Sequence, residues 1–182
     1  MSFSYNLAQF IAFRDLAECE RVRAIKKQDI TEHANLDFRI RLIEDLGEFY
    51  AAFAIDIVSR IRQTFEEGRP FVGIFPVGPM PQYPIAAGMI NALRIPMHHV
   101  HTFNMDEYAD QDGHTAPADW VGSFQRSMME SFFLRIDPEL RPPLEQIHFP
   151  TSQNIDAYGK MIEDAGGANV CYGCLLYTSR CV

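Results

Sequence analysis

The sequence predicts an α/β fold, three layers deep around a mostly parallel sheet, with a helical extension at its N-terminus. Three observations carry that prediction. Short apolar runs of strand length recur at 70–75, 97–103, 146–149 and 168–172. Between them lie stretches whose apolar residues repeat at three- and four-residue steps, the spacing of one helical face. Glycine and proline punctuate the joins, as at Gly68 and in the loop after residue 75. Strands alternating with helices in this way make right-handed βαβ units and a parallel sheet.

In chain order, residues 6–27 read as a short helical arm bearing Leu7, Phe10, Ile11 and Leu16. A longer helix is predicted over 36–67 from Leu42, Ile43, Leu46, Phe49, Tyr50, Phe53, Ile57 and Ile61, with Gly68 as its stop. The run 70–75 lacks polar alternation and reads as a buried strand. The loop Pro76-Val-Gly-Pro-Met-Pro81 follows, then a helix over 83–93. A second strand over 97–103 ends in Asn104-Met-Asp-Glu-Tyr108. A polar loop through Asp119 leads into a helix carrying Trp120, Val121, Phe124, Met128, Phe132 and Phe133. A third strand (146–149), a helix (155–164) and a fourth strand (168–172) complete a Rossmann-like pattern, one that stops on a strand and is expected to be incomplete at its C-terminus. The expected organisation is an N-terminal helical extension over 1–68 and a partial α/β domain over 69–173.

The last nine residues, Cys174-Leu-Leu-Tyr-Thr-Ser-Arg-Cys-Val182, read as foreign to the protein. The nucleotides TGT CTC TTA TAC ACA TCT AGA TGT GTA encode them. That string resembles a transposase mosaic end joined to its own reverse complement, and such a scar is set aside in fold reasoning. The natural frame is then expected to depart near Gly173, with 174–182 packing poorly; a genuine strand over 175–178 is the alternative. Without the tail's thiols the apparent Cys171-Tyr-Gly-Cys174 motif dissolves. Cys19 and Cys171 remain, too few for a disulfide framework. Cys171, in an apolar run, reads as a buried small hydrophobe rather than a metal or redox thiol.

Net charge is −8 and no Lys/Arg run exceeds Lys26-Lys27. That excludes the basic patch with which a protein displaces counterions from phosphates, so no nucleic-acid partner is expected. No apolar stretch approaches the roughly 20 residues of a bilayer span. The first residues lack the basic and apolar regions of a signal peptide. The expectation is a cytoplasmic protein with no membrane partner.

In an open parallel sheet, ligands bind beyond the carboxyl ends of the strands. Two segments occupy that place. The loop 76–81, with Val77, Gly78 and Pro79 at its centre, leads into a helix N-terminus suited to an anion. Pro79 and Pro81 remove two N–H donors, so a merely rigid turn is the competing reading. The second segment sets Asp106 and Glu107 side by side just past a buried strand, where a partly desolvated carboxylate can accept a proton. A solvated turn is the bland alternative, with Asp110 and Asp112 close by. His98, His99 and His101 do not read as a metal cluster, because strand alternation sends His98 to the face opposite the other two. His114 sits in an exposed loop where it could face a ligand.

Together these segments resemble the glucosamine-6-phosphate deaminase/isomerase family, which is related to the 6-phosphogluconolactonases. Thr102-Phe-Asn-Met-Asp-Glu-Tyr108 is nearly identical to that family's strand-end motif. Arg69-Pro-Phe-Val-Gly-Ile-Phe-Pro-Val-Gly-Pro-Met-Pro81 falls where the family has its first strand and phosphate loop. Ser123-Phe-Gln-Arg-Ser-Met, Tyr158-Gly-Lys-Met-Ile-Glu163 and Ala168-Asn-Val-Cys-Tyr-Gly173 match elements that follow. The resemblance covers 69–173. It implies aldose–ketose isomerisation with release of ammonia from an amino-sugar phosphate, with Asp106 carrying the proton between C1 and C2. Val77, Gly78, Pro79, Glu107 and Tyr108 would bind substrate, and Tyr108 sets the chain apart from lactonases, which place Arg there. The partner implied is a small sugar phosphate, and the full-length protein is expected to be a homo-oligomer. No metal, nucleotide or flavin is required, because moving a proton beside a carbonyl needs only a placed base and acid.

Two departures mark the chain. Where the family's phosphate loop is rich in Thr, Ser and Gly, this one keeps Gly78 and a nearby proline. The family's Asp-Gly-His segment, whose histidine assists ring opening, would begin just after Gly173, so the chain is expected to be inactive alone. A second reading therefore stands beside the enzyme: a non-catalytic sugar-phosphate-binding or regulatory protein on the same fold.

Overall fold

The computed structural model describes residues 15–173. They fall in two units, Met1–Glu44 and Asp45–Val182. The part of the expected arm before Asp15, and the tail 174–182 with its alternative strand, lie outside the described residues.

In the first unit, α1 (Leu16–Arg23) begins at Asp15, whose carboxylate accepts from the Glu18 N–H at 3.0 Å and so satisfies one of the helix's orphan donors. Glu18 pairs with Arg21, and Lys27 with Glu44 at 2.8 Å. None of the residues of α1 is buried.

The second unit holds α2 (Leu46–Glu66), β1 (Phe71–Phe75), α3 (Gln82–Leu93), β2 (Val100–Asn104), α4 (Phe124–Ser131), β3 (Ile147–His148), α5 (Tyr158–Asp164) and β4 (Val170–Cys171). All four strands are parallel, in the order β3-β2-β1-β4. The register sets Phe71 beside Val100 and Phe75 beside Asn104, so β1 and β2 end level. Ala54, Ile57 and Ile61 of α2 and Tyr83, Ala86 and Ile90 of α3 form one core with Phe71, Phe75 and Val100. Each large apolar side chain buried this way contributes about 1.5–3 kcal/mol. Phe103 alternates to the other face and meets Tyr158 of α5 at 5.6 Å between ring centroids. No helix among the described residues is long and apolar enough to cross a membrane.

Several elements are shorter than their periodicity suggests. Helix α2 starts at Leu46, not near residue 36, because Asp45 caps it by accepting from the Glu48 N–H at 2.8 Å. Upstream, Leu36, Phe38 and Leu42 are exposed, so their periodicity does not mark a buried helix face. The expected stop holds: Gly68 takes a left-handed φ of 67°, and the N–H of Arg69 turns back to the Thr64 carbonyl at 3.1 Å. His98 and His99 lie in a turn before β2, closed by the Val100 N–H bonding to the Met97 carbonyl at 3.0 Å, so strand alternation does not apply to them. Trp120 and Val121 are exposed and precede α4, which starts only at its cap Ser123. Cys171 is exposed, not buried: among the described residues β4 is the last strand in the sheet order and pairs with β1 alone.

Candidate active site

Level strand ends place two loops side by side. The N–H of Met105 still bonds to the Phe75 carbonyl at 3.0 Å, which carries the β1–β2 ladder one step past the strands. Asp106 is the next residue. Tyr158 anchors the strand ends beneath it: its hydroxyl lies 2.9 Å from the Asn104 carbonyl and 3.0 Å from that of His148.

Asp106 is half-buried, and no donor among the described residues is bonded to its carboxylate. Loss of solvent pushes its affinity for protons above that of an ordinary Asp, and the adjacent Glu107 charge adds to the effect. It lines a cavity of about 220 Å³ together with Gly113, Thr115, Thr151 and Ser152. The last three come from the 109–115 hairpin and the loop after β3. They are stitched together: Thr115 Oγ1 donates to Ser152 Oγ at 3.2 Å, and the Ser152 N–H donates to Thr115 Oγ1.

Glu107 and Tyr108 line the same cavity. Both oxygens of Glu107 accept bonds from the chain itself. Oε1 takes the Tyr108 and Phe124 N–H groups, each at 2.9 Å, and Oε2 takes Ser123 Oγ and the Gln125 N–H, each at 2.8 Å. The Tyr108 ring packs on Phe124 and Trp120, with centroids at 4.7 and 5.6 Å.

Val77, Gly78 and Pro79 lie half-buried in the loop out of β1, on the neighbouring strand, and do not line the cavity that holds Asp106. The loop is braced from α3, where Tyr83 Oη donates to the Pro76 carbonyl and Gln82 Nε2 to that of Pro79. A Cβ built on Gly78 would meet nothing within 4 Å, so the turn opens onto free space where a bound group could sit.

His98, His99 and His101 lie at the other end of the sheet, around a cavity of about 300 Å³ that also touches Arg69. Among the described residues, the grouping with metal-ligand spacing is Asp110, Asp112 and His114, all exposed. Their arrangement follows from a local turn, in which Asp110 Oδ1 accepts from the Asp112 and His114 N–H groups at 3.0 and 2.8 Å. Sequence reasoning passed over Thr115, Thr151 and Ser152, whose only signal is the strand-end position of Thr151-Ser152. It read Asn104 only as part of the strand-end motif; the residue is fully buried with both side-chain polar atoms unpartnered.

The chain is 30% identical over 137 residues to the glucosamine-6-phosphate deaminase of Caenorhabditis elegans, a match covering 72% of this chain and 49% of that one. It is 31% identical over 96 residues to the glucosamine-6-phosphate deaminase of Proteus mirabilis, covering 52% and 33% respectively. Both matches support the glucosamine-6-phosphate deaminase/isomerase family as the one this chain resembles. It spans about half the length of the C. elegans relative. Two solved structures share the family fold. One is a monomeric glucosamine-6-phosphate deaminase of the NagB superfamily, with a TM-score of 0.58 at 17% identity over 70% of this chain and 51% of that one. The other is the 6-phosphogluconolactonase of Thermotoga maritima, with a TM-score of 0.51 at 23% identity over 69% and 53%. No family model matches the chain.

Proposed function

We propose that this chain supplies the base of an amino-sugar-phosphate isomerase/deaminase. Asp106 takes the C2 proton of the open-chain aldose and returns it to C1, and the resulting ketose imine loses ammonia to water. The observation that carries the reading is the state of Asp106: desolvated, without a hydrogen-bond donor, facing a cavity at a strand end. A carboxylate left unsatisfied in that way is a stronger base than one in water, and general-base catalysis needs that property. Val77, Gly78 and Pro79 would take the phosphate against the start of α3, and Tyr108 would face the sugar.

The runner-up, a sugar-phosphate-binding protein without turnover, draws on one observation. Pro79 and Pro81 have no N–H, and the loop 76–81 carries no hydroxyl side chain, so donors to a phosphate are few. The two readings separate in heavy water. In the full-length protein, wild type should exchange the C2 proton of glucosamine 6-phosphate with solvent, and Asp106→Asn should slow that exchange by a factor of roughly 10² to 10⁴. Exchange unaffected by Asp106→Asn would move the base elsewhere. Binding of sugar phosphates without any exchange would favour the runner-up.

A further inference from the structure

We infer that Glu107 is a positioning residue, whose carboxylate clamps the loop carrying Asp106 to the first turn of α4 and sets a fixed charge beside it. The inference rests on the reading of Asp106 as the base.

The four bonds to Glu107 decide its role. Its partners are three backbone N–H groups and one hydroxyl, and all four donate to it. Ser123 Oγ accepts from the Arg126 N–H at 3.2 Å and donates to Glu107 Oε2 at 2.8 Å. Ser123 is fully buried, and α4 therefore begins on a shared cap: Ser123 serves one orphan N–H, and Glu107 serves those of Phe124 and Gln125. Charge-assisted bonds of this kind are roughly twice as strong as neutral ones, and the helix dipole favours an anion at the same point.

The clamp crosses from residue 107 to residues 123–125, so it fixes the neighbour of Asp106 to a rigid element. Among the described residues, no other charged side chain lines the Asp106 cavity. On the packed elements, Arg126 of α4 is engaged by Glu130 and the Asp119 carbonyl. Asp110 and His114 of the hairpin bond to each other, and the side of the cavity after β3 is neutral. Glu107 is thus the charge that Asp106 senses.

The test compares Glu107→Gln with Ser123→Ala, by carboxyl-carbon NMR titration of Asp106 in this chain and by C2-proton exchange in the full-length protein. Glu107→Gln keeps an acceptor for two of the N–H groups and removes the charge. It should lower kcat roughly tenfold to a hundredfold, since misplacement of a base by about 1 Å costs that much. KM should change little. The acid limb of the rate and the Asp106 titration should both move to lower pH. Ser123→Ala should lower kcat less and leave the limb in place. A raised KM with wild-type kcat would make Glu107 a substrate contact and overturn the inference, as would an Asp106 titration unmoved by Glu107→Gln. The NMR titration needs no turnover, so it decides the matter even if Asp106→Asn shows that another residue is the base. If Glu107→Gln does not fold, amide exchange in Ser123→Ala decides: faster exchange at Phe124 and Gln125 with lower kcat supports the clamp, and no change in either overturns it.

Discussion

The carboxyl of Asp106 has lost part of its hydration and gains no hydrogen bond in return, so its ionised form is held at a cost to the fold. The sign follows directly. Its proton affinity is raised in the folded state, so its contribution to stability is full below the ordinary Asp range and is lost as pH rises through the raised value. At neutral pH, Asp106→Asn should therefore raise the urea midpoint while it removes activity, the trade expected where stability has been given up for chemistry. A lowered midpoint would mark Asp106 as structural. The position of this residue was legible in the sequence, because a carboxylate pair directly after a strand falls at the carboxyl rim of a parallel sheet. Glu107 was legible as part of that pair but not in its role. Its partners lie at 123–125, and no local pattern announces a cap donated from another loop. The cavity wall at Thr115 and Ser152 was hidden for the same reason, since it exists only once two loops have been brought together.

At the scale of elements, strand β1 and helix α3 were read nearly as they stand, since a dense apolar run and Gly/Pro joins leave few alternatives, while β2 starts at Val100 and not at residue 97. Nor were the ends of α2 and α4 read as they stand. Periodicity counts apolar residues but does not say which of them a helix buries, and Leu36, Leu42, Trp120 and Val121 stay exposed. Caps set the boundary instead. Asp45→Ala should cost about 0.5–2 kcal/mol by leaving the first N–H groups of α2 without a side-chain acceptor, seen as a lower thermal midpoint. No loss would mean that packing alone sets the helix start. Inside β1, Gly73 makes room for its neighbours: a Cβ there would lie 2.6 Å from the Phe75 ring and 2.7 Å from that of Phe71. Both rings are fully buried in the core, so Gly73→Ala should overpack it and cost about 1–3 kcal/mol in urea denaturation.

Taken as a whole, the second unit puts its acid at the carboxyl end of the sheet and most of its histidines at or near the amino end, and the histidines give it a pH-dependent stability. His99 places Nε2 at 3.0 Å from the Ile61 carbonyl, while its Nδ1 is buried without a partner. Protonating Nδ1 would create a buried N–H with no acceptor, which costs more than the charge returns. His101 accepts from Gln146 Nε2 at 3.1 Å and stacks on His148, with centroids 6.3 Å apart and rings 9° from parallel. Burial lowers the proton affinity of all three; the charges of His98 and His101 add to the effect at His99, and that of His101 at His148. Each depressed group contributes nothing above the ordinary histidine range, where folded and unfolded chains are both neutral. Below about pH 6.5 the unfolded chain takes up protons that the folded one refuses, so stability falls until the depressed values are reached. Asp106 works in the opposite sense, as one group against three. The carboxylates held low by hydrogen bonds, Glu18, Glu67, Asp110 and Glu139, weaken the fold only in more acid solution. Urea midpoints measured at pH 7.5 and at 5.5 should therefore drop on acidification, and His99→Gln, which cannot be protonated, should drop less. A midpoint that holds level across that window in wild type would mean that the imidazoles accept protons in the folded state, and that the turn before β2 opens to water.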